Sequence, residues 1–202
     1  MKFTNGYWQM RAGVTPHYAE QVHEVEIESD AITVYAPTKK LTSRGDTLNL
    51  PLLTLRYSSP MENVIHVKIV HHKGVRQPTP EFTIYEQAKP NIKITNGETS
   101  AMLTSGDLSV RIHKGENWLV QYLGKDQPIT SSGWHGLGFV DTPDGRFIHE
   151  QLNLGVGECV YGLGERFTSF IKNGQVVDIW NEDGGTSSEQ SYKNIPFYLT
   201  NR

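Results

Sequence analysis

Between residues 100 and 124 the chain reads SAMLTSGDLSVRIHKGENWLVQYLG, three short stretches in which apolar and polar residues alternate. Ser105-Gly106-Asp107 and Lys114-Gly115-Glu116 part them. A period of two suits a strand with one face in a core, whereas a helix repeats its faces every 3.6 residues. Turn residues at such short spacing send the chain back along itself, so this segment predicts an antiparallel meander.

The same reading extends over most of the chain. VHEVEIES (22–29) and AITVYAP (31–37) are strands joined at Ser29-Asp30, and LLTLRYSS (52–59) is a third. In NVIHVKIVHH (63–72), Ile65, Val67 and Ile69 fall on one face. NIKITNG (91–97), GRFIHEQLNLG (145–155) and IPFYLTN (195–201) continue the pattern. HYAEQVHEVEIE (17–28) can be threaded as the start of a helix, but the alternation at Val25 and Ile27 favours a strand. Pro78 and Pro80 interrupt pairing in HHKGVRQPTPEF (71–82), which reads as a surface loop. Many short strands with close turns predict an all-β antiparallel sandwich or barrel, and 202 residues are enough for one such domain spanning 1–202.

Charge and cysteine use narrow the partners. The net charge is −3 and no basic block stands out, which argues against nucleic acid, whose phosphates need a concentrated Lys/Arg face. No stretch approaches a membrane span, and the opening MKFTNGYWQMRAGVTP lacks the apolar run of a signal peptide. One cysteine, Cys159, allows no internal disulfide and no cysteine-based zinc site. A cytoplasmic location, with no membrane partner, no cofactor and no metal, is the expectation.

Several residues invite a chemical reading. LGVGECVYGLGERF (154–167) is dense in glycine, yet a G-x-G-x-x-G started at Gly155 or Gly162 reaches Val160 or Phe167 at its sixth position, and no helix follows. The glycines instead predict a strand that bends or bulges. Glu165 reads as a buried carboxylate tying loops together or as an acid with a raised pKa; the structural role is favoured, since a glycosidase needs a second carboxylate. Cys159 has no local base and reads as a buried structural thiol. His71-His72 is expected at a surface strand end, because neighbours on a strand face opposite ways. In NEDGGTSSEQSY (181–192), Asp183 stands beside Gly184-Gly185, a poor mount for two catalytic carboxylates. It suits a single contact to a sugar hydroxyl, or else a solvated acidic loop.

The stretch 160–202, VYGLGERFTSFIKNGQVVDIWNEDGGTSSEQSYKNIPFYLTNR, resembles the N-terminal domain of glycoside hydrolase family 31, within it bacterial α-xylosidases. YGLGE stands at Tyr161 to Glu165 and the run WNEDGGTSSEQSYKNIPFY at Trp180 to Tyr198. NGYWQMRAG, KGENW and LNLGVGE are similar more loosely, in the same order. The resemblance implies a galactose-mutarotase-like β-sandwich (a supersandwich) as accessory domain of an exo-acting retaining α-glycosidase, most similar to α-xylosidase. Two aspartates of a following (β/α)₈ barrel would do the chemistry. It also implies that further sandwich strands and that barrel follow Arg202, that no residue here is catalytic, and that the chain alone is inactive.

The family's sandwich sends a loop over the barrel mouth, and the matching residues are Asp183 as hydroxyl acceptor, Thr186 as a short donor and Tyr192 as a stacking or hydrogen-bonding wall. Glu182 stands where close relatives carry a basic residue, so the leaving-group preference stays open. The implied partners are an α-xyloside or α-glucoside, the chain's own barrel and a homo-oligomer contact. Two alternatives stay beside this reading. One is a stand-alone carbohydrate-binding sandwich, although Trp8, Trp118, Trp134 and Trp180 are scattered rather than set in a row. The other is a mutarotase, for which His149 and Glu150 would serve as acid and base were they not adjacent and so on opposite faces.

Overall fold

The computed structural model describes residues 3–5, 9–72, 90–182 and 191–202. The chain divides into two compact units, Ala12–Asn153 and the pair Met1–Arg11 with Leu154–Arg202. Most of the loop expected at 71–82 lies outside the described residues.

Among the described residues, Ala12–Asn153 holds twelve strands: β1 (Thr15–Tyr18), β2 (Glu24–Ile27), β3 (Ala31–Pro37), β4 (Leu52–Ser58), β5 (His66–Val70), β6 (Ile92–Asn96), β7 (Ser100–Ser105), β8 (Leu108–His113), β9 (Val120–Gly124), β10 (Gln127–Ser132), β11 (Leu137–Thr142) and β12 (Gly145–Glu150). They form a four-stranded sheet β2-β3-β4-β5, a five-stranded sheet β10-β9-β8-β7-β6 and a three-stranded sheet β1-β11-β12. All pairs are antiparallel. Neighbours in the first two sheets are consecutive in sequence; short turns join most of them, and the longer segment 38–51 with its 3-10 turn at Arg44–Thr47 joins β3 to β4.

Alternation builds the core. Leu53, Leu55 and Tyr57 of β4, Ala101 and Leu103 of β7, and Val110 and Ile112 of β8 are fully buried in one cluster. Ile65, Val67 and Ile69 pack against it from one side of β5, the face the sequence assigned them. Two sheets that share one apolar layer make a sandwich. Polar clasps join the sheets: the Ser59 hydroxyl donates to Ser105 Oγ at 2.8 Å, and the Asp107 amide donates to Asn63 Oδ1 at 2.6 Å. Gly106, at φ +58°, makes the turn between β7 and β8; a Cβ there would strike the Asn63 side chain. Pro128 sits on the edge strand β10 next to a register shift, where a missing N–H costs least.

Three strands had no sequence signal of their own. β1 contains Pro16, β10 contains Pro128, and β11 (LGFVDT) is an apolar run without alternation. β11 is the central strand of its sheet, buried from Leu137 to Val140, which is why it does not alternate. Gly138 is needed there because a Cβ would press into the backbone of His17 on β1.

Among the described residues, the second unit contains the hairpin β13 (Val160–Gly164) and β14 (Asn194–Thr200) and two isolated bridges, Thr4 to Met10 and Asn181 to Ser191.

Candidate functional site

The glycine-rich stretch folds as the bent strand its composition predicts. β13 pairs with β14 from Val160–Thr200 to Gly162–Tyr198, then shifts register and resumes at Gly164–Asn194. Gly162, Leu163 and Gly164 all have positive φ (100°, 69° and 87°). A Cβ on Gly162 would lie 2.8 Å from the Phe197 carbonyl, and one on Gly164 would strike the Lys193 carbonyl. Pro196, which has no N–H to give, lies on the longer strand opposite the shift.

Beyond this bend, side chains and backbone tie the two ends of the 182–191 stretch together. The Glu182 amide donates to the Ser191 carbonyl at 3.0 Å beside the Asn181–Ser191 bridge. The Ser191 hydroxyl donates to the Glu165 carbonyl at 2.5 Å and accepts from the Lys193 amide at 3.2 Å. Asn194 is the centre of the knot. Its Nδ2 donates to the carbonyls of Trp180 (2.6 Å) and Ser191 (2.7 Å) and to Asn181 Oδ1 (3.0 Å). Its Oδ1 accepts from the Arg166 guanidinium. Two carbonyls on one side and a cation on the other admit a single orientation of the amide. Arg166 also donates to the carbonyls of Leu163 (3.3 Å) and Asp178 (2.7 Å), so its fork spans three segments.

Of the residues the sequence nominated, Asp183 and Thr186 lie outside the described residues. Tyr192 is adjacent to the knot, 59% exposed, with Lys193 Nζ 5.8 Å from its ring centre. Trp180, on the other side of the knot, is 73% exposed. Arg166, Asn181, Ser191 and Asn194 were not nominated, because a side chain that bonds to backbone or to another side chain across a loop leaves no period in the sequence.

Two expectations are corrected. Glu165 is not buried: its carboxylate is solvent-exposed and pairs with Lys193 Nζ at 3.1 Å, since the bend turns it outward while Arg166 turns in. Cys159 is only partly covered, with Sγ 3.9 Å from the Gly157 carbonyl. His71, just past the end of β5, stacks on Phe139 with ring centres 4.8 Å apart, and burial holds its pKa down.

His149 and Glu150 are consecutive on β12, opposite Gly138 and Leu137. Burial lowers the His149 pKa, against a hydrogen bond with the His135 backbone, and the ring meets Tyr18 edge-on. Burial also pushes Glu150 up to about 7, opposed by a hydrogen bond with Ser132. Trp118 is buried, whereas Trp134 is exposed in the turn before β11, stacked on His135 at 3.7 Å. Trp8 lies outside the described residues. Among the described residues no group of three or more His, Cys, Asp and Glu is placed to hold a metal ion, and no helix is long and apolar enough to cross a membrane.

Residues 54–202 match the glycosyl hydrolase 31 N-terminal galactose mutarotase-like domain, and the chain belongs to that family. It is 42% identical over 202 residues to the alpha-xylosidase XylQ of Lactiplantibacillus pentosus, an alignment covering 99% of this chain and 26% of that enzyme. It is 38% identical over 222 residues to an alpha-xylosidase of Emericella nidulans, covering 99% of this chain and 28% of the relative. The chain thus spans about a quarter of the length of the curated relatives it matches.

Among solved structures, the cycloalternan-forming enzyme from Listeria monocytogenes, in complex with a pentasaccharide substrate, superposes with a TM-score of 0.67 at 19% identity. The match covers 93% of this chain and 17% of that one. A GH31 dextranase of Flavobacterium johnsoniae, complexed with glucose, gives 0.65 at 18%, covering 91% and 21%. These likenesses establish the fold and agree with the sandwich expected from alternation.

Proposed function

We propose that this chain is the accessory N-terminal domain of an exo-acting retaining α-glycosidase of the α-xylosidase type, working in the cytoplasm. In this reading it binds the sugar substrate jointly with a (β/α)₈ barrel that carries the two catalytic aspartates. Asp183, Thr186 and Tyr192 reach the sugar, and no residue of the chain forms or breaks a bond. The observation that carries the reading is the 42% identity across 99% of the chain to an enzyme named as an α-xylosidase, of which the chain matches only 26%.

The surface of the hairpin unit supports it. Phe170 (78% exposed), Phe197 (62%), Ile195 and Leu199 stand out of Leu154–Arg202. Large apolar groups displayed together serve a domain that packs on a neighbour. The barrel is the neighbour proposed here.

The test compares the chain alone with the full-length enzyme on an aryl α-xyloside. The full-length enzyme is expected to hydrolyse it and the chain alone to give no turnover at any pH. Asp183→Asn in the full-length enzyme is expected to raise KM about tenfold, the order of one lost hydrogen bond to a charged group. Turnover by the isolated chain overturns the reading, as does KM unmoved in Asp183→Asn. Micromolar binding of xyloglucan oligosaccharides by the isolated chain would replace it with the stand-alone binding module.

A further inference from the structure

We infer that Asn194, clamped by Arg166, is a positioning residue for the sugar site and acts by orienting the backbone that carries Trp180 and Tyr192. This rests on the reading that Tyr192 lines the substrate of the full-length enzyme.

The geometry singles out this amide. The carbonyl of Ser191 belongs to the peptide plane that ends at the Cα of Tyr192, and the carbonyl of Trp180 to the plane that begins at its own Cα. Asn194 Nδ2 binds both, at 2.7 and 2.6 Å. Holding those planes fixes the directions in which the two aromatic side chains leave the backbone. The β13–β14 ladder needs none of this: Asn194 already pairs with Gly164 there, and its main-chain amide donates to Asn181 Oδ1 at 2.9 Å. The side chain adds bonds to residues 3, 13 and 14 positions away, across the ends of the loop.

Arg166 keeps Asn194 from turning. Its guanidinium binds Oδ1, so a flipped amide would face a cation with N–H groups and two carbonyls with an oxygen. The same guanidinium is anchored on Leu163 and Asp178 carbonyls, and Leu163 lies in the positive-φ bend. The strained Gly-Leu-Gly turn thereby brings the arginine across to the loop ends. Tyr192 and Trp180 stay exposed while their backbone is tied, which is how a preorganised binding wall is built.

Asn194 touches backbone and not sugar, so its loss should transfer an ordering cost to substrate binding and leave the bond-breaking step alone. The full-length enzyme carrying Asn194→Ala is expected to show KM for an aryl α-xyloside raised about tenfold with kcat changed less than about twofold. Because part of its action runs through Tyr192, the double variant with Tyr192→Ala should have a KM rise below the product of the two single-variant rises. KM rises that multiply in the double variant overturn the inference, as does an unmoved KM in Asn194→Ala when Tyr192→Ala raises it. If neither Tyr192→Ala nor Asp183→Asn moves KM, the substrate-lining reading falls first and takes this one with it. Should Asn194→Ala fail to fold, Arg166→Lys keeps the charge but loses the fork; a smaller KM rise at constant kcat supports the inference, and no rise overturns it.

Discussion

In Ala12–Asn153, Leu53, Leu55, Leu103 and Ile112 have no exposed surface, and the sheets meet through them. In Leu154–Arg202, Phe170, Phe197 and Leu199 are half exposed or more, and the two buried residues among those described are Lys172 and Ser191. Lys172 Nζ donates to the Ser169 carbonyl at 2.7 Å and to Thr168 Oγ1 at 3.1 Å, and Ser191 bridges Glu165 and Lys193. The sandwich turns its apolar groups inward and coheres by burial; the hairpin unit turns them outward and coheres by polar bonds. That contrast separates a region held by apolar burial from one held by side-chain bonds to its backbone.

The largest effect should come from the sandwich. Leu103→Ala removes a fully buried side chain from the layer between two sheets and is expected to cost about 3 kcal/mol, transfer and cavity together. Denaturant unfolding should show a lower midpoint at unchanged slope. A loss below about 1 kcal/mol would mean that this layer is not the sandwich's main source of stability, and the contrast would weaken.

A smaller and local effect is expected at Gly164. Its φ of +87° and the Lys193 carbonyl facing its missing Cβ make alanine strained at that position. Gly164→Ala should cost about 2 kcal/mol, confined to the hairpin. Hydrogen exchange is the measurement: amides of β14 should lose protection while those of β4 and β7 keep theirs. Equal loss throughout would show the two units unfolding as one and break the comparison.

The sandwich was far more legible in the sequence than the site. Residues 52–58 read as a strand because every second side chain enters a core, and that requirement prints a period on the sequence; residues 31–37, buried almost throughout, read as one from their β-branched run. β11 escaped because a strand covered on both faces has nothing to alternate. The glycines of 154–167 disclosed a bend, since only a backbone in close approach or at positive φ asks for them so densely. The roles of Arg166 and Asn194 were not legible: they bond to carbonyls, which every residue supplies, and to each other across 28 positions, a spacing no local pattern marks. Glu165 was misassigned for the same reason, because at the bend the sequence cannot say which of two adjacent residues turns inward.

The smallest effect separates the units by pH. Burial pushes Glu150 on β12 up to about 7, from an ordinary 4.5. A carboxyl raised by folding contributes stability that is full below its unfolded value and lost as pH rises through about 7. Glu150 keeps part of its surface in solvent, and screening holds the effect to about 1 kcal/mol or less. Glu158, in the other unit, moves the opposite way: the Gly155 amide first, then Thr200, hold its carboxyl below 4.5. Its contribution is present above that value and lost as pH falls through the depressed one. Glu150→Gln should therefore leave the melting temperature of the sandwich unchanged at pH 4 and raise it slightly at pH 8. Glu158→Gln should loosen β13 amides at pH 8 and make no difference in strong acid. Exchange rates that respond to both substitutions with the same sign would show that the electrostatics of the two units do not differ as their packing does.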